Sequence, residues 1–229
     1  MLSIVIPALN EAATIATALA PLQALRAKGH EVIVVDGGSV DGTLELACGL
    51  ADRVMSAERG RARQLNAGVR AASGDVVLLL HADTILPAQA DEHIEAALSA
   101  SKRVWGRFDV RIDGGSGWLP IVSTMMNLRS RWTGIATGDQ AMFAARDALA
   151  AIGGVPDLPL MEDVALSKKL RRLSPPACLR EQVTTSGRRW VVNGAMRTIM
   201  FMWALRLAFF LGVSPDRLAR AYYSTRRVE

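Results

Sequence analysis

Three short polar clusters, each following an apolar run, are the residues of this chain best suited to chemistry: Pro7-Ala8-Leu9-Asn10-Glu11, Asp36-Gly37-Gly38-Ser39 and His81-Ala82-Asp83-Thr84. Asp36 follows Val32-Ile33-Val34-Val35, which puts its carboxylate at a strand tip. There it can accept an N–H from a uracil-like base or a ribose hydroxyl, while Gly38 lets backbone approach a ligand closely. Asp83 lies just past a buried strand, placed to hold Mn²⁺ or Mg²⁺ against a diphosphate, because hard cations take oxygen ligands and keep substrate phosphates among them. Arg59, Arg61 and Arg63 open a helix in GRARQLNAG, where guanidinium forks and a helix N-terminus together suit a diphosphate. In the second half the adjacent acids Glu162-Asp163 offer a general base for an acceptor hydroxyl. Every cluster also has a plainer reading. Asp36 can shape a turn, and Asp41, Thr43 and Asp83 can cap helices. The arginines can form a solvated turn, and the acidic pair can complement a helix dipole.

The elements that must position these groups alternate. Leu2–Ile6, Glu31–Val35 and Val76–Leu80 are continuous apolar runs, as expected of strands buried on both faces of a parallel sheet. Between them, a helix over residues 11–27 with Asn10 as its cap, a second over 43–50 and a third over 61–71 complete a βαβαβ pattern. That pattern predicts an α/β, Rossmann-like, mostly parallel sheet flanked by helices, whose ligands bind beyond the carboxyl ends of the strands. All three polar clusters fall at that rim. Farther on, Trp105–Ile112 alternates as a strand, Leu119–Trp132 reads as a helix, Ala141–Phe143 as a strand and Glu162–Leu173 as a helix ended by Pro175-Pro176. The expected organisation is one domain over 1–229: a nucleotide-binding half to 104, a catalytic half over 105–190, and C-terminal helices over 191–229.

Composition narrows the classes. The chain has 229 residues, half of them hydrophobic, and 27 Lys and Arg against 22 Asp and Glu for a net charge of +5; this is a globular composition, not a disordered one. The two cysteines, Cys48 and Cys178, form no CxxC, which argues against a disulfide framework or structural zinc site and favours a reducing compartment. The N-terminus has no basic region and turns polar by Asn10, unlike a signal peptide, and no GxGxxG follows the first strand, unlike an NAD site.

Taken in order, SIVIPALNE, VVDGGSVDGT, GRARQLNAG, LLLHADT, GDQAMF, MEDVALSKKL and SGRRW resemble the inverting family 2 glycosyltransferases of the GT-A fold. They are especially similar to the short bacterial members associated with radical-SAM or selenium-related gene neighbourhoods. The resemblance covers residues 2 to about 190. It implies transfer of one sugar from a nucleotide-diphosphate sugar, UDP-linked by preference, to an acceptor hydroxyl with inversion, assisted by Mn²⁺ or Mg²⁺. Pro7, Asn10, Glu11, Asp36, Gly38, Arg61, Arg63, Ala82 and Asp83 then fall at the donor site, with Asp83 and His81 toward the metal. Asp163, with Glu162 beside it, takes the place of the catalytic base, and Arg189-Trp190 resembles the end of a QxxRW motif. Two departures stand out: His81 replaces the first acid of DxD, and Ser186 stands where the QxxRW glutamine would be. A processive polymerase is therefore not expected.

The stretch 191–213 is long and apolar but carries Arg197 and Arg206 on opposite helix faces. A spanning helix would bury two charges at about 2.5–3.5 kcal/mol each near the bilayer centre. A core or homodimer helix, or one lying on a membrane surface beside a lipid-linked acceptor, fits better, and nucleic acid is not an expected partner. The expected location is cytoplasmic, peripheral at the inner face of the cell membrane if that surface reading holds. Alternatives are a sugar-phosphate nucleotidyltransferase, which the absence of a Gly-rich loop after strand one disfavours, and a degenerate nucleotide-binding module.

Overall fold

The structure, a computed structural model, describes residues 1–100, 102–114, 117–187 and 194–224. Its centre is an eight-stranded sheet built on three apolar runs: β1 (Leu2–Ala8), β2 (Glu31–Asp36) and β4 (Val76–Leu79). Strand alternation sends Ile4, Ile6, Val32 and Val34 to one face and Val5, Ile33 and Val35 to the other. Both faces are therefore buried, which is why these runs are continuous rather than alternating. The first face is covered by α1 (Ile15–Leu19), α2 (Gln23–Ala27), α3 (Thr43–Ala47), α5 (Ala90–Ser99) and α6 (Leu119–Thr133). The second is covered by α4 (Arg61–Ala71), α7 (Arg146–Ala151) and α8 (Glu162–Leu170). Gly68 allows α4 to lie directly on the sheet: a Cβ there would come within 2.2 Å of Val5 Cγ1.

With β3 (Arg53–Ser56), β5 (Thr84–Ile85), β6 (Trp105–Asp113), β7 (Met142–Ala145) and β8 (Ala177–Ser186), the strand order is β3-β2-β1-β4-β7-β6-β8-β5. Pairings β3–β2, β2–β1, β1–β4 and β6–β8 are parallel, whereas β4–β7, β7–β6 and β8–β5 are antiparallel. The nucleotide-binding type of half-sheet, β3-β2-β1-β4, is thus joined through β7 to a second half carrying β6 and β8. After β8 come α9 (Ala195–Phe210) and α10 (Pro215–Ser224). Among the described residues no helix is long and apolar enough to cross a membrane. The helix expected over 11–27 begins instead at Ile15 and is interrupted by a 3₁₀ turn at Ala20–Leu22, where Pro21 cannot donate to the helical ladder. Asn10 does not cap it. Its backbone is left-handed, with φ 54°, and its side chain is engaged elsewhere.

Glu31, at the start of β2, ties that strand to the β1 and α4–β4 segments. Its Oε2 accepts hydrogen bonds from Ser3 Oγ (2.7 Å), Ser73 N–H (3.0 Å) and Ser73 Oγ (2.9 Å), and Arg53 lies 3.2 Å from Oε1. Burial pushes the carboxyl upward, but these donors and the Arg53 charge outweigh it and hold Glu31 below its ordinary value of 4.5. The ionised form is thus favoured by folding, so its contribution is present above the ordinary carboxylate pKa and fades as pH falls through the lowered folded one. Glu31→Gln should cost about 1–3 kcal/mol at neutral pH. In urea titrations across pH, the gap between variant and wild type should close in acid; a gap independent of pH would contradict this account.

Candidate active site

The first two polar clusters are latched to each other at the carboxyl ends of β1 and β2. Asn10 N–H donates to Ser39 Oγ (2.8 Å), Val40 N–H to Asn10 Oδ1 (3.0 Å), Glu11 N–H to Thr43 Oγ1 (2.8 Å) and Ala12 N–H to Asp41 Oδ2 (3.0 Å). Asp36, fully buried, accepts from Gly38 N–H (2.8 Å), Ser39 N–H (2.9 Å) and the Ser39 hydroxyl. Its carboxylate therefore shapes the loop that Gly38 turns, with remaining acceptor capacity for a ligand. Glu11 accepts from Thr14 Oγ1 at 2.8 Å. The plain reading of Asp41 is partly realised: it accepts from Thr43 N–H at 3.1 Å beside the start of α3. Pro7 is the penultimate residue of β1, below this rim.

A second convergence lies across β4. A small cavity is lined by Arg61, Leu79, His81, Gly138, Glu162 and Asp163 with other apolar side chains. Residues distant in sequence meet here because α4 and α8 cover the same sheet face and the loop after β4 ends between them. Asp163, in the first turn of α8, accepts from Gly138 N–H at 2.9 Å and from Val164 N–H at 2.7 Å, which fixes the orientation of its carboxylate. His81 packs on Gly138 so closely that a Cβ there would lie 2.3 Å from Nε2, and its Nδ1 is 3.4 Å from Asp139. Arg61 Nη1 is 3.4 Å from the buried Glu162 carboxylate. Burial raises Glu162 above its usual range; Arg61 opposes the shift and the neighbouring Asp163 charge adds to it. Glu162 is thus a buried partner for Arg61, and both it and Asp163 line the cavity.

The other expected site residues are placed differently. Within the third cluster Ala82 is buried and Asp83 exposed, with Thr84 Oγ1 at 3.4 Å as the side-chain contact of Asp83. Its backbone carbonyl accepts from Ser186 N–H, which binds the cluster to β8. Arg63 points away from the cavity into ion pairs with Glu58 and Asp157. Arg189 and Trp190 lie outside the described residues. Sequence reasoning did not single out Gly138 and Asp139 as site residues, although GDQ between a helix and a strand was a visible signal. A left-handed Ala141 and the buried Gln140, which accepts from Thr137 N–H at 3.2 Å, hold that turn against the cavity. Among the described residues no three His, Cys, Asp or Glu side chains gather around one point.

Residues 3–151, well over half of the chain, match the family model described as glycosyl transferase family 2. The chain belongs to that family. As a family 2 glycosyltransferase it has the α/β architecture of the GT-A fold, and it is similar in structure to several solved glycosyltransferases. TarS of Staphylococcus aureus, in complex with UDP-GlcNAc, superposes with a TM-score of 0.67 at 18% identity, covering 81% of this chain and 58% of that one. The mannosyltransferase PcManGT of Pyrobaculum calidifontis, in complex with GDP-Man and Mn²⁺, gives 0.59 at 22% identity over 80% and 56%. Glucosyl-3-phosphoglycerate synthase of Mycobacterium tuberculosis, in complex with Mg²⁺ and UDP, gives 0.60 at 23% identity over 81% and 69%. In sequence, this glycosyltransferase is 36% identical over 87 residues to the poly-beta-1,6-N-acetyl-D-glucosamine synthase of Staphylococcus aureus. That match covers 35% of this chain and about a fifth (21%) of the relative.

Proposed function

We propose that this glycosyltransferase transfers a single sugar from a nucleotide-diphosphate sugar, UDP-linked by preference, to an acceptor hydroxyl with inversion at the anomeric carbon. The observation that carries the reading is the oriented Asp163 carboxylate, held by the Gly138 and Val164 N–H groups beside Arg61 and His81. Family membership favours transfer over the nucleotidyltransferase alternative. The complexes with UDP-GlcNAc, UDP and GDP-Man among similar structures support a nucleotide-linked donor.

In this reading the latched rim around Asp36, Gly38, Asn10 and Glu11 receives the nucleoside, with Pro7 and Ala82 supporting it. Arg61 lies toward the diphosphate. Asp163 takes the proton from the acceptor hydroxyl as its oxygen bonds to C1, and the nucleoside diphosphate leaves from the opposite face. Positioning and electrostatics supply the acceleration. The residues present suit Mn²⁺ or Mg²⁺, because Asp83 is exposed and its carboxylate is only weakly engaged, while the protein offers no closed cage. Such an ion would be held by Asp83 and donor phosphates and would offset the charge of the leaving group. His81, whose Nδ1 faces Asp139 and whose Nε2 abuts Gly138, serves better as a wall of the site than as a ligand.

Thermal shifts against UDP-, GDP- and dTDP-sugars, with and without Mn²⁺, test the class directly. A metal-dependent shift with one donor set is expected; none with any donor would overturn the reading. Asp83→Ala should weaken Mn²⁺-dependent donor binding about tenfold or more, about 1.4 kcal/mol. Calorimetry showing the same metal dependence in the variant would remove Asp83 from this role.

A further inference from the structure

Two helices, α6 and α9, carry exposed apolar stripes at helical spacing. On α6 the stripe includes Met125, Leu128 and Trp132, preceded by Trp118 just before the helix; on α9 it includes Trp203, Leu207 and Phe210. Trp132 is 85% exposed and Phe210 77%, values that buried helix packing would not leave. The opposite faces of both helices are covered: Val122, Met126 and Ser130 on α6, Thr198 and Leu205 on α9. At about 100° per residue, Arg129 and Arg206 each fall on the border between the exposed stripe and the covered face of their own helix.

These two arginines lie near each other and near Asp163. Burial lowers Arg129 to about 10, and the Arg206 charge adds to that, while Asp163 and Asp139 oppose it. Nε and Nη2 of Arg129 and Nε of Arg206 are shut off from solvent and have no hydrogen-bond partner among the described residues. Covered guanidinium N–H groups without acceptors, on two like charges, are costly. A dianionic or monoanionic phosphate between them would satisfy the donors and cancel the repulsion, as bidentate Arg–phosphate pairs do elsewhere.

We propose that Arg129 and Arg206 form a phosphate subsite for a lipid acceptor. The headgroup of that lipid brings its reacting hydroxyl to Asp163, while the α6 and α9 stripes rest in the lipid surface. The proposal rests on the transfer reading above and adds the acceptor class. A lipid rather than a soluble phosphate is indicated because apolar stripes border the cation pair on both helices. Trp132 and Trp203 in these stripes, with Trp118 beside them, suit the headgroup level of a bilayer, and the net charge of +5 suits an anionic surface. The step balances without a further reactant: the headgroup O–H proton goes to Asp163, its oxygen bonds to C1, and the C1–O bond to the diphosphate breaks with the electron pair leaving on the nucleotide.

The full-length protein can be tested by flotation with vesicles of phosphatidylcholine, with or without phosphatidylglycerol, and with glycerol 1-phosphate as soluble competitor. Wild type should float with the phosphatidylglycerol vesicles, and the soluble phosphate should compete poorly. R129Q/R206Q should bind these vesicles about ten- to a hundredfold more weakly. R217Q/R220Q, which removes the same charge from exposed positions of α10, should change binding little. W132S/W203S should also lose binding while keeping the wild-type circular dichroism spectrum. Equal losses in the two arginine doubles would reduce the effect to general charge and overturn the subsite. Retained flotation by R129Q/R206Q would overturn it as well, as would a stable wild-type dimer in light scattering that W132S/W203S abolishes without any vesicle binding. The donor-induced thermal shift reports the donor site independently, so a protein that binds vesicles but no donor would sink the transfer reading and not the lipid surface.

Discussion

Asp163→Asn should reduce glycosyl transfer by about 10²–10⁴-fold while leaving donor binding near that of the wild type. The amide keeps the size of the carboxylate, and its oxygen can still accept the Gly138 N–H that now binds Oδ2. What it loses is the capacity to take a proton, and positioned general bases are typically worth this much. The effect should appear in kcat with the donor KM little changed, because in the proposed mechanism Asp163 meets the acceptor and not the nucleotide. Single-turnover assays with a saturating donor, alongside donor thermal shifts, separate the two quantities. Near-normal turnover in the variant would pass the role to another group, with Asp139 beside His81 the first to examine.

The largest structural penalty is expected at Asp109, on β6. Its carboxylate accepts from Arg107, which is completely buried, and from Arg131 Nη2 at 2.5 Å on α6. Arg107 also donates to the Asn127 carbonyl at 3.2 Å, but its Nε already lacks a partner. Asp109→Ala would leave a guanidinium in the interior with its counter-charge gone, a change that costs about 3–5 kcal/mol. For a chain of this size the melting temperature should fall on the order of 10 °C. A joint replacement of Asp109 and Arg107 by apolar residues of similar volume should recover part of the loss, which a simple packing defect would not allow. Equal melting temperatures for Asp109→Ala and wild type would show that the pair contributes nothing.

The parts of this fold that could be read from sequence are those whose residues are buried on both sides. β1, β2 and β4 announce themselves as apolar runs because each lies inside the sheet with helices above and below. β3 did not, since RVMS is a short edge strand with both ends exposed. β8 did not either: ACLREQVTTS pairs with β6 through a register shift between Arg107 and Asp109, and several of its side chains reach solvent. The helix start at 11 was misplaced because Asn10 and Glu11 hydrogen-bond across to the second loop, a tertiary contact that outranks local capping preference. At the site, Glu162-Asp163 stood out as an adjacent acidic pair at a helix start, and only the family resemblance pointed to Asp163 of the two. The pairing of Arg61 with Glu162, 101 residues apart, has no local signature. Nor does the proximity of Arg129 to Arg206, which arises only once their two helices are folded.

The latch between the first and second loops has a thermodynamic corollary. Asn10, Glu11 and Ala12 are bonded to Ser39, Val40, Asp41 and Thr43 by protein groups alone. If the nucleoside binds at that rim as proposed, it meets walls already joined by hydrogen bonds, so little of its intrinsic affinity should be consumed in ordering loops. Association there should then be fast and close to lock-and-key.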